Sequence, residues 1–127
     1  MFERREFLGG SAAAAVLAGS DAAAAAPMYG LIGKMLAQPG KRDQLMALLM
    51  SGLGEMPGCL SYIVARDPGS PDAIWITEVW DSAASHAASL RLPAVQATIT
   101  AARPLIAGFG ERFETAPVGG VGLARTP

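Results

Sequence analysis

Ala73-Ile74-Trp75-Ile76-Thr77-Glu78-Val79-Trp80-Asp81-Ser82-Ala83-Ala84-Ser85-His86 is the stretch on which the fold turns. Its first eight residues are rich in β-branched and aromatic side chains, which fit a pleated, half-buried surface and predict a strand. Alternate side chains of a strand share a face. Ile74, Ile76, Glu78 and Trp80 therefore point one way, and Trp75, Thr77 and Val79 the other. Asp81 or Ser82 is then placed to cap a helix, because a short polar side chain accepts from the first free backbone amides. In that helix Ala83, His86, Ala87 and Leu90 fall at i, i+3, i+4 and i+7, which sets the only histidine of the chain on the expected apolar stripe. Packing that stripe on the strand face brings Glu78, Trp80 and His86 together inside the domain, where carboxylate and imidazole each need a partner.

Upstream, Tyr29 to Gln38 reads as the first strand, with Gly30 and Gly33 permitting close approach of a ligand or another chain. Pro39-Gly40 breaks it. Lys41 to Leu53 then carries Leu45, Leu48, Leu49, Gly52 and Leu53 at helical spacing, flanked by Met46 and Met50. Met56-Pro57-Gly58 is a turn. Cys59 to Arg66 alternates as a second strand, with Leu60, Tyr62, Val64 and Arg66 on one face and Ser61, Ile63 and Ala65 on the other. Asp67 to Asp72 is a run of turn formers joining it to the third. Downstream, Pro93 opens a second helical piece, Ala94 to about Ala102, with Val95, Ile99 and Ala102 on one side. Pro104 ends it, and Ile106 to Glu114 reads as a fourth strand.

The order β-α-β-β-α-β is the split βαβ pattern of an α+β, ferredoxin-like fold, with helices on one face of a four-stranded antiparallel sheet. Ser61, Ile63, Ala65, Trp75, Thr77 and Val79 lie on the opposite face. It is too apolar to leave wet on about a hundred residues, and a two-fold homodimer packing sheet on sheet covers it.

The 127 residues suffice for one small domain. Residues 1–26 stand apart. Arg4-Arg5-Glu6-Phe7-Leu8 is a twin-arginine pattern, Ser11 to Gly19 is softly apolar, and Ala22 to Ala26 offers small residues for cleavage after Ala26. The apolar run is too short and alanine-rich for a permanent membrane anchor. The expectation is export to the periplasm or cell envelope, a domain at residues 27–115, and a tail at 116–127 without any period. Loss of residues 1–26 leaves eight Lys/Arg and eight Asp/Glu. A neutral domain without a basic cluster does not suit nucleic acid. The lone Cys59 excludes an internal disulfide, and no Cys/His metal spacing or phosphate loop is present.

Pro39-Gly40-Lys41-Arg42-Asp43, then Pro57-Gly58-Cys59-Leu60-Ser61-Tyr62, then Glu78-Val79-Trp80 with His86 on the following helix, resemble the antibiotic-biosynthesis monooxygenase (ABM) domain over roughly residues 28–115. The resemblance implies a dimeric α+β barrel. It also implies an activity found among such domains, cofactor-free oxygenation of quinols and polycyclic phenols. Haem degraders and stress proteins share the family. Its haem degraders resemble one another in an asparagine on the first strand, a tryptophan and a helical histidine ligand. This chain has no asparagine anywhere, which leaves haem bound through His86 as the remaining cofactor alternative to none.

On this reading His86 is the base, since imidazole titrates near neutrality. Glu78 orients it and stabilises the imidazolium. Trp80 stacks on a small aromatic substrate, Ile76 adds an apolar contact, and Tyr62 and Arg66 bind substrate oxygens. Dioxygen is the co-substrate. The alternatives are a non-catalytic ligand-binding or stress-response dimer, and a haem-binding protein.

Overall fold

The computed structural model describes residues 26–123. The expected leader therefore lies outside the described residues, apart from Ala26, as do the last four residues of the tail. Four strands, β1 (Tyr29–Ala37), β2 (Cys59–Arg66), β3 (Ala73–Trp80) and β4 (Ile106–Thr115), form one antiparallel sheet in the order β2-β3-β1-β4. Helices α1 (Arg42–Ser51), α2 (Ala83–Ser89) and α3 (Pro93–Ala102), with a 3-10 turn at Arg103–Leu105, complete the domain. The α+β class and ferredoxin-like arrangement are as the sequence predicts. Between β3 and β4, however, the chain makes two α-helices, giving β-α-β-β-α-α-β. The cause is Pro93. A residue before proline is pushed out of the helical region, and Leu92 is extended at φ −67°, ψ 136°, so α3 starts afresh with proline in its first turn.

Helix α1 buries Leu45, Met46 and Leu49. They join Ala37, Ile74, Ile76, Ala102 and Leu105 in the core. Met46, expected to flank the stripe, is inside, whereas Met50 is exposed. Arg42 ties α1 to the β2–β3 connection: Nη1 donates to the carbonyls of Ser70 at 2.6 Å, Ala73 at 3.2 Å and Asp67 at 3.3 Å. The Ala73 and Asp67 carbonyls also accept the Asp67 and Ser70 amides inside the connection, so the guanidinium adds a second donor to them and fastens the turn to α1.

Register sets the faces. Glu78 pairs with Tyr62 of β2 and Leu31 of β1, Ile76 with Val64 and Gly33, and Trp80 with Tyr29. These residues share the helix-covered face. On the other face Ile63 and Phe113 are more than half exposed, while Thr77 and Val79 are half-buried.

Candidate functional site

Helix α2 begins as predicted. Ser82 is the N-cap, and its Oγ accepts from the Ser85 amide at 3.1 Å. Its inward face keeps His86 from the predicted stripe but not the alanines, and Leu90 borders the cavity described below while staying 45% exposed. Ala83, Ala87 and Leu90 are exposed, whereas Ser85, His86 and Ser89 turn toward the sheet. Ser89 is buried and donates to the His86 carbonyl at 2.6 Å. Gly58 explains the phase. Its φ is +88°, and a Cβ there would lie 2.6 Å from Ser85 Cβ and 2.8 Å from Asp81 Oδ1. The bare turn before β2 therefore receives the Ser85 side of α2 directly, and the Asp81 amide donates to the Gly58 carbonyl at 2.8 Å.

His86 consequently reaches the β3 residues expected of it. Its Nε2 stands 3.9 Å from Glu78 Oε1, with the two side chains 17% and 15% exposed. That separation exceeds a hydrogen bond. Glu78 Oε1 instead accepts the Trp80 indole N–H at 2.8 Å. Trp80 is 1% exposed and meets the imidazole edge-on, ring centroids 5.4 Å apart. The indole thus holds Glu78 and backs the imidazole while also lining the cavity described next. Tyr29, read from sequence only as the start of a strand, packs its ring 5.3 Å from that of His86, and its hydroxyl donates to Glu114 Oε2 at 2.6 Å.

Glu78, Trp80 and His86 line a cavity of about 320 Å³ between sheet and helices. Its walls are mainly apolar, from Met35, Leu49, Leu53, Ile76, Val95 and Ile99, with Phe109 at the rim. Tyr62, on the strand beside Glu78, lines it too. Burial first, then the Glu78 charge, raises the Tyr62 phenol above its ordinary range, so it stays a neutral donor. Burial likewise raises the Cys59 thiol, which argues against a reactive thiolate.

Five of the six predicted residues, Glu78, Trp80, His86, Tyr62 and Ile76, therefore converge on one cavity. Arg66 does not. It ends β2, is 61% exposed and pairs with Asp43 at 3.3 Å. A shared strand face predicts it beside Tyr62, but Tyr62 pairs with Glu78 whereas Arg66 pairs with Ile74, toward the opposite end of β3 from Trp80. The apolar walls escape a sequence reading as site residues because each looks like ordinary core in one dimension.

His86 fits poorly as an axial haem ligand, since its ring is packed by Tyr29 and Trp80 and its Nε2 faces a carboxylate. Among the described residues no group of three or more His, Cys, Asp or Glu is placed to hold a metal ion. Nor is any helix there long and apolar enough to cross a membrane.

Comparison with known proteins bears on this site. A candidate antibiotic biosynthesis monooxygenase from Chloroflexus aurantiacus J-10-fl is 65% identical, with 76% of this chain and 99% of that chain covered and a TM-score of 0.74. Two more distant structures share the fold. One is a candidate antibiotic biosynthesis monooxygenase from Caulobacter crescentus CB15, 20% identical over 74% of this chain and 92% of that one, TM-score 0.63. The other is SnoaB, a cofactor-independent oxygenase from Streptomyces nogalater, 15% identical over 76% and 98%, TM-score 0.60. No curated protein matches significantly. The profile of the family described as antibiotic biosynthesis monooxygenase matches residues 28–101, more than half of the sequence, and the chain belongs to that family.

Proposed function

We propose that the protein is a cofactor-independent monooxygenase of a quinol or phenolic aromatic, exported and working as a homodimer. The observation that carries this reading is the 3.9 Å gap between His86 Nε2 and Glu78 Oε1 in the wall of a mainly apolar cavity. The gap is too long for the two groups to satisfy each other, so Nε2 is left to accept from a hydroxyl that enters the cavity, while the carboxylate beside it stabilises the imidazolium that forms. A phenol bound there loses its proton to the imidazole. The phenolate passes one electron to dioxygen, and the two radicals combine at a ring carbon. The hydroperoxide so formed loses water, giving a quinone. One oxygen atom enters the product and the other leaves in water, whose two hydrogens come from the phenol and the ring carbon. The apolar walls exclude bulk water from the radical pair.

Oxygen uptake with a panel of quinols, with and without the protein, tests this. His86→Ala is expected to slow turnover by roughly 10²-fold, the usual size of a general-base contribution. Full turnover per folded molecule in that variant would remove His86 from the mechanism. A ligand-binding role without chemistry is the second reading. It is favoured by the indole bond that already occupies Glu78, and it predicts binding of the same phenols with no oxygen uptake.

The remaining parts rest on other features. Export rests on Arg4-Arg5 and the alanine-rich run. The homodimer rests on the open sheet face, where Ile63 is 55% and Phe113 53% exposed. Protein recovered from the cell envelope is expected to begin near Pro27 on N-terminal sequencing and to show no monomer on sedimentation at low concentration. A cytosolic chain starting at Met1, or a stable monomer, would contradict the respective part.

A further inference from the structure

The plane of the His86 ring is set by packing rather than by a hydrogen bond. Rotation about the last side-chain torsion of a histidine is broad, and an imidazole is ordinarily oriented by the bond that its second nitrogen makes. Among the described residues neither ring nitrogen of His86 bonds to a protein group, and Nε2 stops 3.9 Å from Glu78 Oε1. Two aromatic rings take over the task, Trp80 edge-on at 5.4 Å and Tyr29 at 5.3 Å with its plane tilted by 37°. They are register partners on β3 and β1, so they stand side by side on the helix-covered face, beneath α2. Trp80 is itself fixed, 1% exposed with its N–H on Glu78. Tyr29 is only half-buried and opens its strand, so burial alone does not hold it. Its anchor is the hydroxyl, which donates at 2.6 Å to Oε2 of Glu114, near the end of β4, and Arg112 Nη1 stands 3.9 Å from the same oxygen. That bond first, and burial next, raises the Tyr29 phenol above its ordinary range, so it remains a donor. Tyr29 takes no part in the cavity wall that His86 lines.

We propose that Tyr29, anchored by Glu114, is a positioning residue whose ring sets the plane of the His86 imidazole and so aims Nε2 beside Glu78 in the cavity wall. The proposal rests on His86 being the base, as read above. Tyr29 touches no substrate and acts only through the imidazole. The aim of the base therefore depends on a carboxylate of the edge strand, one ring removed from the chemistry.

His86 is the only histidine of the chain, so its ring protons give one set of NMR signals, whose ring-current shifts report how Tyr29 and Trp80 lie against it. Spectra are compared at pH about 9, where a histidine imidazole is neutral. Glu114→Ala leaves both rings in place and should move the imidazole signals toward those of free histidine. Tyr29→Phe keeps the ring but loses the anchor and should move them likewise, with the double variant no further displaced than either single one. Glu114→Gln removes the charge but still accepts from the phenol, so it should keep the parent signals. In oxygen uptake, Glu114→Ala and Tyr29→Phe should lower kcat by roughly tenfold with KM unchanged, since a misaimed base slows proton transfer without altering the cavity. Glu114→Gln should retain turnover. Parent signals in Glu114→Ala, equal displacement in Glu114→Ala and Glu114→Gln, or a raised KM at unchanged kcat would each overturn the assignment. If the parent protein oxidises a quinol, those outcomes remove only the role of Tyr29. If it oxidises none, the base reading fails and takes this proposal with it, wherever the signals lie.

Discussion

Strand β3 carries two indole–carboxylate hydrogen bonds, one on each face of the sheet, and they do different things. On the open face Trp75 Nε1 donates to Asp67 Oδ2 at 3.0 Å. That carboxylate also accepts the Gly69 amide at 2.8 Å and faces Lys34 Nζ at 3.6 Å, while the ammonium lies 5.5 Å from the centre of the Trp75 ring. The Gly69 amide first, and the indole next, hold Asp67 below its ordinary range. Both carboxylate oxygens are in use, and the result is a closed β2–β3 hairpin. On the helix-covered face Trp80 donates to Glu78 at 2.8 Å, but the next polar group, His86, stops at 3.9 Å and a cavity lies alongside. A carboxylate with a full set of donors is a fastening. One with a donor on one side and a cavity on the other is available to something that arrives.

The comparison breaks most visibly at Trp80. Trp80→Phe removes a bond to a charged acceptor and leaves a void where a side chain only 1% exposed had been, which together should cost about 2–4 kcal/mol. It should also lower turnover of any quinol that the protein oxidises, because Glu78 loses the contact that orients it. Urea unfolding and oxygen uptake on the same sample check both. Unchanged turnover in a less stable protein would mean that the two indole bonds are alike after all.

Asp67 sharpens the contrast with a smaller effect. Its folded value lies below the unfolded one, so its stabilisation is present above the ordinary carboxylate range and is lost as pH falls through the folded value. Asp67→Asn is expected to melt earlier than the parent at neutral pH, by less than Trp80→Phe, and the two should converge on acidification. Turnover should be unaffected. Melting curves across an acid series decide it; a gap that persisted or widened in acid would show that charge is not what Asp67 contributes.

Strands and turns are legible in the sequence because each is written twice. β2 alternates in side-chain character, β3 is dense in β-branched and aromatic residues, and Pro39-Gly40, Pro57-Gly58 and the Asp67–Asp72 run mark where strands stop and start. Glu78 and Trp80 fall on one face from spacing alone, since a strand has a period of two. Helix α2 is different. Its seven residues, Ala-Ala-Ser-His-Ala-Ala-Ser, carry almost no hydropathy contrast, so the alanines read as the inward face. Ser85 is inward because it fits the turn at Gly58, and Ser89 is buried on the same side with its hydroxyl on the His86 carbonyl. Arg66 departs for a related reason: a shared face says nothing about distance along the strand, and only the register puts Tyr62 beside Glu78 and Arg66 beside Ile74. Tyr29 against His86 requires β1 to pair with the end of β3, a contact between residues far apart in the chain that no local pattern encodes.

Gly58 acts as a gauge block. Ser85 sits where a Cβ at position 58 would be, and His86 is the next residue along. The thinnest possible residue thus sets how closely α2 seats against the sheet, and with it the 3.9 Å opening between imidazole and carboxylate. A single methyl group inserted at that contact would press on Ser85 and displace the helix, and His86 with it. The calibration of the site lies in a turn that touches neither of its working groups.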